Sequence, residues 1–327
     1  MEAEDSTKER SPPLVSVIIP TYDRNEQLPE TVRSVSTQTY DHIELFVVDD
    51  CSPVPVTEAL EDMTLDHMHA VTIIRHNENR GANAARNNGI RAARGKYIAF
   101  LDDDDRWEDT KIERQVDAFE SSDPEVGVVY TGKRSVGPHG ERIKTPTVEG
   151  DVMKDLLTGQ SFNQFSSLMV RSEVIEKVGL TDERFPAWQD REWLFRLAQH
   201  CHFKSVPEPL VVWQKKSGVS DNITGRYEQK RDVAFPLLIE KHYPVAREYG
   251  LYYARTFLAS MRMTLARAAV KSGEYEEARK YFLLAVLGNP LYRPVYPHLL
   301  ASLGGKWTYE SAADFRRKLG TVTSMLG

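Results

Sequence analysis

Apolar positions in the first part of the chain come in short unbroken runs. Residues 14–20 (Leu-Val-Ser-Val-Ile-Ile-Pro), 43–48, 70–74 and 97–101 are such runs. Continuous, largely β-branched stretches of this length predict strands buried on both faces. Between them the spacing becomes helical. Leu28, Val32 and Val35 share one face of the segment 27–38, and Ala82, Ala85, Gly89, Ile90 and Ala93 give the segment 81–94 a face of small residues. A short helix is expected at 58–63. Strands alternating with helices over short connections predict a parallel sheet covered by helices. After about Val126 the alternation weakens. Strands are expected at 126–131, 166–170, 203–206 and 209–213, helices at 153–157, 173–178 and 190–200, and a hairpin or loop excursion rich in Gly and Pro at 132–150. From about 226 the pattern is that of long helices. Segments 255–272 and 275–287 form a pair broken at Gly273 that resembles half of a tetratricopeptide repeat. Segments 292–303 and 309–319 complete a helical subdomain. The predicted organisation is a disordered tail at 1–13, an α/β domain at 14–225 and a helical subdomain at 226–327.

Charge and cysteine content narrow the function classes. The formal charge of −6 argues against nucleic acid as the main partner. The two cysteines, Cys51 and Cys201, have no metal-ligand spacing and fit a reducing compartment. No apolar run approaches the roughly eighteen residues of a membrane span, and the first residues lack the apolar core of a signal peptide. A cytoplasmic location is expected, or attachment at the cytosolic face of a membrane.

The chemistry concentrates where apolar runs end. The run 97–101 meets four acids, Asp102, Asp103, Asp104 and Asp105; the run 43–48 meets Asp49 and Asp50; and the first run ends in Pro20, Thr21 and Tyr22. If these strands are parallel, all three ends lie on the carboxyl edge of the sheet, where open α/β sheets bind ligands. Four adjacent carboxylates repel one another, and a hard divalent cation, Mn²⁺ or Mg²⁺, relieves the repulsion while bridging substrate phosphates. Asp49 or Asp50 is placed to accept hydrogen bonds from a nucleobase or ribose, and a metal at Asp104 would bridge a diphosphate and help it leave. An acidic first turn of a helix explains the same acids without a ligand.

These pieces resemble an inverting nucleotide-sugar glycosyltransferase of the large family 2, with a GT-A fold. The resemblance rests on Val17-Ile18-Ile19-Pro20-Thr21-Tyr22, Val47-Val48-Asp49-Asp50-Cys51-Ser52, Asn77-Glu78-Asn79-Arg80-Gly81, Ala85-Arg86-Asn87-Asn88-Gly89 and Phe100-Leu101-Asp102-Asp103-Asp104-Asp105-Arg106-Trp107. It implies a mixed, mostly parallel sheet between helices, here followed by a C-terminal all-α subdomain. It implies that Asp49 or Asp50 binds the nucleobase and that Asp102, Asp103 and Asp104 form an Asp-x-Asp site, with Asp104 nearest the metal and Asp102 beside it. It also implies a catalytic base at the start of a later helix. Asp190, in Gln189-Asp190-Arg191-Glu192-Trp193, takes that position, although the preceding acid of the family's pair is Gln189 here. A helix cap is the other reading of Asp190.

Around this frame, Asn79 and Arg86 are candidates for phosphate or ribose contact, against packing and turn formation. Trp188 and Gln189 are candidates for the acceptor side, with Gln164–Ser167 nearby. The loop after Trp213 reads Gln214-Lys215-Lys216-Ser217-Gly218 and lacks the histidine that the family often carries there. The chain also lacks the Gln-x-x-Arg-Trp motif of the processive synthases, so transfer of one sugar per acceptor is expected. The expected donor is a nucleotide-diphosphate sugar, a UDP-sugar first. The expected acceptor is a glycan, polyprenyl- or dolichol-phosphate-linked, since the segment around Trp188 is similar to soluble transferases that extend lipid-linked glycans, including those of archaeal protein N-glycosylation. Lys230, Arg231, Arg293, Arg316, Arg317 and Lys318 are interleaved with apolar residues in the helical subdomain. Peripheral contact with anionic lipid, homodimerisation and plain solvated helix faces are all open to it. Two other function classes compete. One is a non-catalytic nucleotide-sugar or carbohydrate-binding module. The other is a sugar nucleotidyltransferase, disfavoured because Thr21-Tyr22-Asp23-Arg24-Asn25 lacks the glycine-rich loop that class carries after its first strand.

Overall fold

The computed structural model describes residues 11–64, 68–137, 140–160, 162, 164–214, 227–309 and 311. Most of the predicted tail, the loop after Gln214 with Lys215 and Lys216, and most of the predicted last helix with Arg316, Arg317 and Lys318 lie outside the described residues.

In chain order the strands are β1 (Val15–Thr21), β2 (Ile43–Asp49), β3 (Ala70–Arg75), β4 (Tyr97–Phe100), β5 (Asp105–Trp107), β6 (Val126–Gly137), β7 (Gly140–Lys144), β8 (Leu168–Arg171) and β9 (His202–Gln214). The helices are α1 (Leu28–Ser36), α2 (Val56–Leu60), α3 (Ala82–Ala92), α4 (Lys111–Glu120), α5 (Met153–Leu157), α6 (Ser172–Val178), α7 (Gln189–Leu197), α8 (Tyr227–Gln229), α9 (Phe235–Glu248), α10 (Leu251–Lys271), α11 (Tyr275–Gly288) and α12 (Tyr296–Ser302). A π turn at Lys230–Ala234 joins α8 to α9.

The chain divides into two compact units. The first contains residues 1–151, 163–181 and 196–217. Its nine strands form one sheet in the order β3-β2-β1-β4-β8-β6-β9-β5, with β7 paired to β6. β3, β2, β1 and β4 are parallel neighbours. Beyond β4 the sheet is mixed, because β8 runs antiparallel to both β4 and β6 while β9 runs parallel to β6. Every residue of β1, β2 and β4 is buried, which is why their sequences are unbroken apolar runs. The chain passes from β1 to β2 on one side and returns to β4 on the other. β1 therefore stands at a switch in strand order, the place at whose carboxyl ends open α/β sheets bind ligands. α3 lies close on β1. A β-carbon at Gly89 would come within 2.5 Å of Ile18 Cγ2, so the small-residue face sets the helix–sheet distance.

The second unit contains residues 152–162, 182–195 and 218–327. Its core is helical and alanine-rich: Ala259, Leu265, Ala266 and Ala269 of α10 pack with Ala278, Phe282 and Ala285 of α11 and with Val295. Among the described residues, no helix is long and apolar enough to cross a membrane.

Candidate functional site

The ends of β1, β2 and β4 form one edge. Thr21 pairs in register with Asp49, and the Asp50 N–H donates to the Thr21 carbonyl at 2.8 Å. The Leu101 N–H donates to Ile18 O at 3.0 Å and holds the end of β4 against β1. The chain then turns, with Asp105 N–H on Asp102 O at 3.0 Å, and enters β5.

This acidic turn is held from three sides. Thr31 of α1 places its hydroxyl 3.0 Å from the Asp103 carbonyl and 2.9 Å from that of Asp105. Ser166, in the 3-10 turn Phe165–Ser167 before β8, accepts the Asp102 N–H at 3.1 Å and donates to Asp105 Oδ2 at 2.5 Å. Arg86 of α3 donates from Nη2 to Asp102 Oδ1 at 2.6 Å, and its guanidinium lies 4.1 Å from the Phe165 ring centroid. Below the turn, Trp107 donates from its indole to the Ser166 carbonyl at 2.7 Å. The fully buried Lys111 lies over the Trp107 ring, and burial drives its amine well below the usual lysine range.

The turn holds more carboxylates than ionise comfortably together. Asp103 is pushed up to about 7 by burial and by the Asp104 charge, while Thr21 and Arg24 pull it down. Asp105 is held well above the usual carboxylate range by burial and by Asp102, with Ser166 and Lys133 opposing. Two buried polar atoms beside the turn, Asp105 Oδ1 and Arg86 Nε, have no hydrogen-bond partner. Among the described residues, no group of three or more His, Cys, Asp or Glu forms a ready metal cage. Crowded oxygen donors of this kind suit a hard cation that takes one or two carboxylates from the protein and the rest of its shell from substrate phosphates and water. The residues present therefore fit a hard divalent cation completed by substrate oxygens.

The two acids at the end of β2 are buried and organise loops. Asp49 accepts the Ser52 N–H at 2.8 Å and pairs with Arg75, which also reaches the Ser52 carbonyl at 2.7 Å. Asp50 accepts from the Arg80 and Gly81 N–H groups at 2.9 and 2.7 Å and lies 2.7 Å from His76 Nδ1. Pro20 and Thr21 are buried, whereas Tyr22 and Asn79 are exposed on the surrounding loops. Pro20, Thr21, Asp49, Asp50, Arg86 and the Asp102–Asp104 turn lie together at this edge. Thr31, Arg75 and His76 complete the cluster without having been singled out in the sequence, and Ser166, expected on the acceptor side within Gln164–Ser167, instead holds the acidic turn. Arg75 and His76 are visible as the polar end of an apolar run; Thr31 carries no local signal, and nothing local to Ser166 tells of its bonds to Asp102 and Asp105.

Trp188, Gln189 and Asp190 belong to the second unit. Asp190 sits in the first turn of α7 and accepts the Arg191 N–H at 2.8 Å. Trp188 packs against the helical core. Glu192, one half-turn further, is buried and paired with Lys241 of α9 at 2.6 Å; Lys241 also reaches Asp182 at 2.8 Å. Arg184 and Lys241 hold Asp182 well below the usual carboxylate range. Among the described residues, three non-glycine positions have left-handed backbone: Asp23 (φ 54°), Cys51 (φ 66°) and Trp188 (φ 60°). Each lies in one of the loops that carry the predicted site residues, where strained backbone concentrates in functional sites.

Over residues 16–179 the sequence matches the family described as Glycosyl transferase family 2. The chain belongs to glycosyltransferase family 2. This family 2 glycosyltransferase is 26% identical over 277 residues to an uncharacterized glycosyltransferase of Haemophilus influenzae, covering 82% of this chain and 89% of that one. A putative teichuronic acid biosynthesis glycosyltransferase of Bacillus subtilis, TuaG, is 40% identical over 107 residues, covering 32% of this chain and 41% of that one. Among solved structures, Staphylococcus aureus TarS 1–349 in complex with UDP-GlcNAc superposes with a TM-score of 0.57 at 15% identity, covering 87% of this chain and 92% of that one. Pyrobaculum calidifontis mannosyltransferase PcManGT, in complex with GDP-Man and Mn²⁺, gives a TM-score of 0.53 at 21% identity, covering 92% of this chain and 86% of that one. Both likenesses establish the GT-A fold of the family 2 glycosyltransferase.

Proposed function

We propose that this glycosyltransferase moves one sugar from a nucleotide-diphosphate sugar, a UDP-sugar in the first instance, to an acceptor hydroxyl on a lipid-linked or surface glycan, with inversion at the anomeric carbon. The observation that carries the reading is the acidic turn Asp102–Asp104, fixed by Thr31, Ser166 and Arg86 at the switch point of the sheet. Asp104 and Asp102 would hold the Mn²⁺ or Mg²⁺. That ion supplies a positive charge opposite the departing diphosphate. Asp49, Asp50, Pro20, Thr21 and Tyr22 form the nucleoside side, and Asp103, Asn79 and Arg86 the ribose and phosphate side. Asp190 acts as the general base, with Trp188 and Gln189 beside it on the acceptor side. It takes the proton from the acceptor hydroxyl while the oxygen–carbon bond forms and the bond from the anomeric carbon to the diphosphate oxygen breaks. The nucleoside diphosphate leaves with that bonding pair. The complexes of TarS with UDP-GlcNAc and of PcManGT with GDP-Man and Mn²⁺ support a nucleotide-sugar donor and a metal, and the naming of TuaG supports a surface-glycan acceptor.

The test is a thermal-shift series on the purified protein with UDP, GDP, dTDP and CMP, each with and without Mn²⁺. A ligand that binds only the folded state raises the melting temperature by mass action. Stabilisation by one diphosphate, dependent on metal and lost in Asp104→Ala, is the expected result and names the base. A GDP response in place of UDP redirects the donor assignment. Equal responses of wild type and Asp104→Ala to nucleotide and metal would overturn the metal site.

A further inference from the structure

Folding alone does not explain Lys111. It is the first residue of α4, where the positive end of the helix dipole disfavours a cation, and it is fully buried. Among the described residues no carboxylate pairs with it, and burial alone drives its amine well below the usual lysine range. A methionine would fill much of the same space without desolvating an amine.

The amine grips Gln115 and Trp107. Nζ donates to Gln115 Oε1, one turn further along α4, at 2.6 Å, and it lies 3.8 Å from the centroid of the Trp107 ring. Both of these side chains hold the turn Phe165–Ser167. The Trp107 indole donates to the Ser166 carbonyl at 2.7 Å. Gln115 Nε2 donates to the Ser167 carbonyl at 3.0 Å and to that of Val129 in β6 at 2.9 Å. Gln115 is itself fully buried, and a glutamine amide can sit either way round. By donating to Oε1, Lys111 selects the orientation in which the amide N–H groups face the two carbonyls. The other orientation would set three oxygens against one another. The Ser166 hydroxyl, carried on the turn so held, accepts the Asp102 N–H at 3.1 Å and donates to Asp105 Oδ2 at 2.5 Å.

We propose that Lys111 is a positioning residue for metal-dependent donor binding: its amine locks Trp107 and Gln115, these fix the turn Phe165–Ser167, and the Ser166 hydroxyl then keeps Asp102–Asp105 in the shape that takes a divalent cation and a diphosphate. This role rests on the donor reading and deepens it, because it places the lysine on the metal side of the site alone. Asp49 and Asp50 are held without it, by Ser52, Arg75, His76, Arg80 and Gly81.

The test is calorimetric titration of the full chain with UDP and with GDP, each with and without Mn²⁺, for wild type, Lys111→Met and Trp107→Phe. Residues that act behind metal ligands typically account for about 10–100-fold in metal affinity. Lys111→Met is therefore expected to lose about tenfold or more of its nucleotide affinity in Mn²⁺ while keeping the wild-type affinity without metal. A lysine that served only the fold would change both affinities together or neither. Trp107→Phe keeps a ring against the amine and removes the indole N–H from Ser166. It is expected to lose affinity in the same metal-dependent way, and it decides the matter if circular dichroism shows that Lys111→Met does not fold. Wild-type affinity in Mn²⁺ for a folded Lys111→Met overturns the role, as does an equal loss with and without metal. Where Trp107→Phe decides, wild-type affinity in that variant overturns it. A wild type whose nucleotide binding ignores Mn²⁺ overturns the metal-dependent donor reading and this role with it. Failure of the donor reading thus shows in the wild type, and failure of the lysine's role shows only in the variants.

Discussion

Ser166 is the residue on which the acidic turn depends most directly. One hydroxyl meets both ends of the turn, accepting the Asp102 N–H and donating to Asp105. Removing it leaves two buried groups without partners, which costs about 1–3 kcal/mol for each unsatisfied group. Ser166→Ala is therefore expected to lower the melting temperature and to weaken metal-dependent nucleotide affinity by about tenfold or more; calorimetric titration of nucleotide with Mn²⁺ checks it. An unchanged affinity in a destabilised variant would mean that Ser166 supports the fold and not the turn's geometry. Asp190→Asn makes the complementary prediction. It should bind donor like wild type and lose transfer by about a hundredfold or more, read by release of nucleoside diphosphate in the presence of acceptor. The acids at both positions are legible in the sequence because they end apolar runs or open a helix. The contacts that hold them are not. Thr31 lies 72 and 74 positions from the carbonyls it contacts, and Ser166 lies 61 and 64 from its partners, so only the strand order brings them together.

At the scale of elements, α3 packs close against β1 beside the site. In a free helix Gly→Ala gains about 1 kcal/mol. At Gly89 the new β-carbon would meet Ile18 Cγ2 at 2.5 Å, so Gly89→Ala is expected instead to destabilise by about 1–3 kcal/mol. Urea denaturation measures it, and the effect should shrink in an Ile18→Ala background, since residues in contact couple. The strands β1, β2 and β4 are legible because burial on both faces leaves an unbroken apolar signature. β9 is a single strand where the sequence predicts two short ones. Its register with β6 jumps between Val206 and Val211, and that irregularity absorbs Pro207 and Pro209, which lack the N–H a regular ladder needs. β5 has no counterpart in the prediction. Its three residues follow the acidic turn and owe their conformation to pairing with β9, far along the chain.

At the scale of the whole molecule, stability answers to buried amines as well as to apolar packing. Burial and the neighbouring Lys271 lower Lys230 from 10.5 to about 8. Between those two values the unfolded chain binds more protons at this site than the folded one, so its contribution rises with pH across that window; below about 8 the folded state carries a poorly hydrated charge. Lys230→Met is expected to be more stable than wild type at pH 7. The advantage should fade between pH 8 and 10.5; melting curves at a series of pH values decide. An advantage constant with pH would assign it to packing. The α/β class and the helical C-terminal part are legible from periodicity alone, whereas the interleaving of segments between the two compact units is not, because 152–162 and 182–195 carry no break in composition. The left-handed backbone at Asp23, Cys51 and Trp188 bears on how such a chain responds to selection. Glycine at Asp23 or Cys51 relieves about 1 kcal/mol of steric strain and returns part of it as lost chain entropy, whereas at Trp188 it would also remove a ring packed on the helical core. A population of variants screened for heat resistance alone would accumulate glycines at Asp23 and Cys51, in the loops that carry the proposed donor residues, and would drift toward robust proteins that transfer sugar poorly.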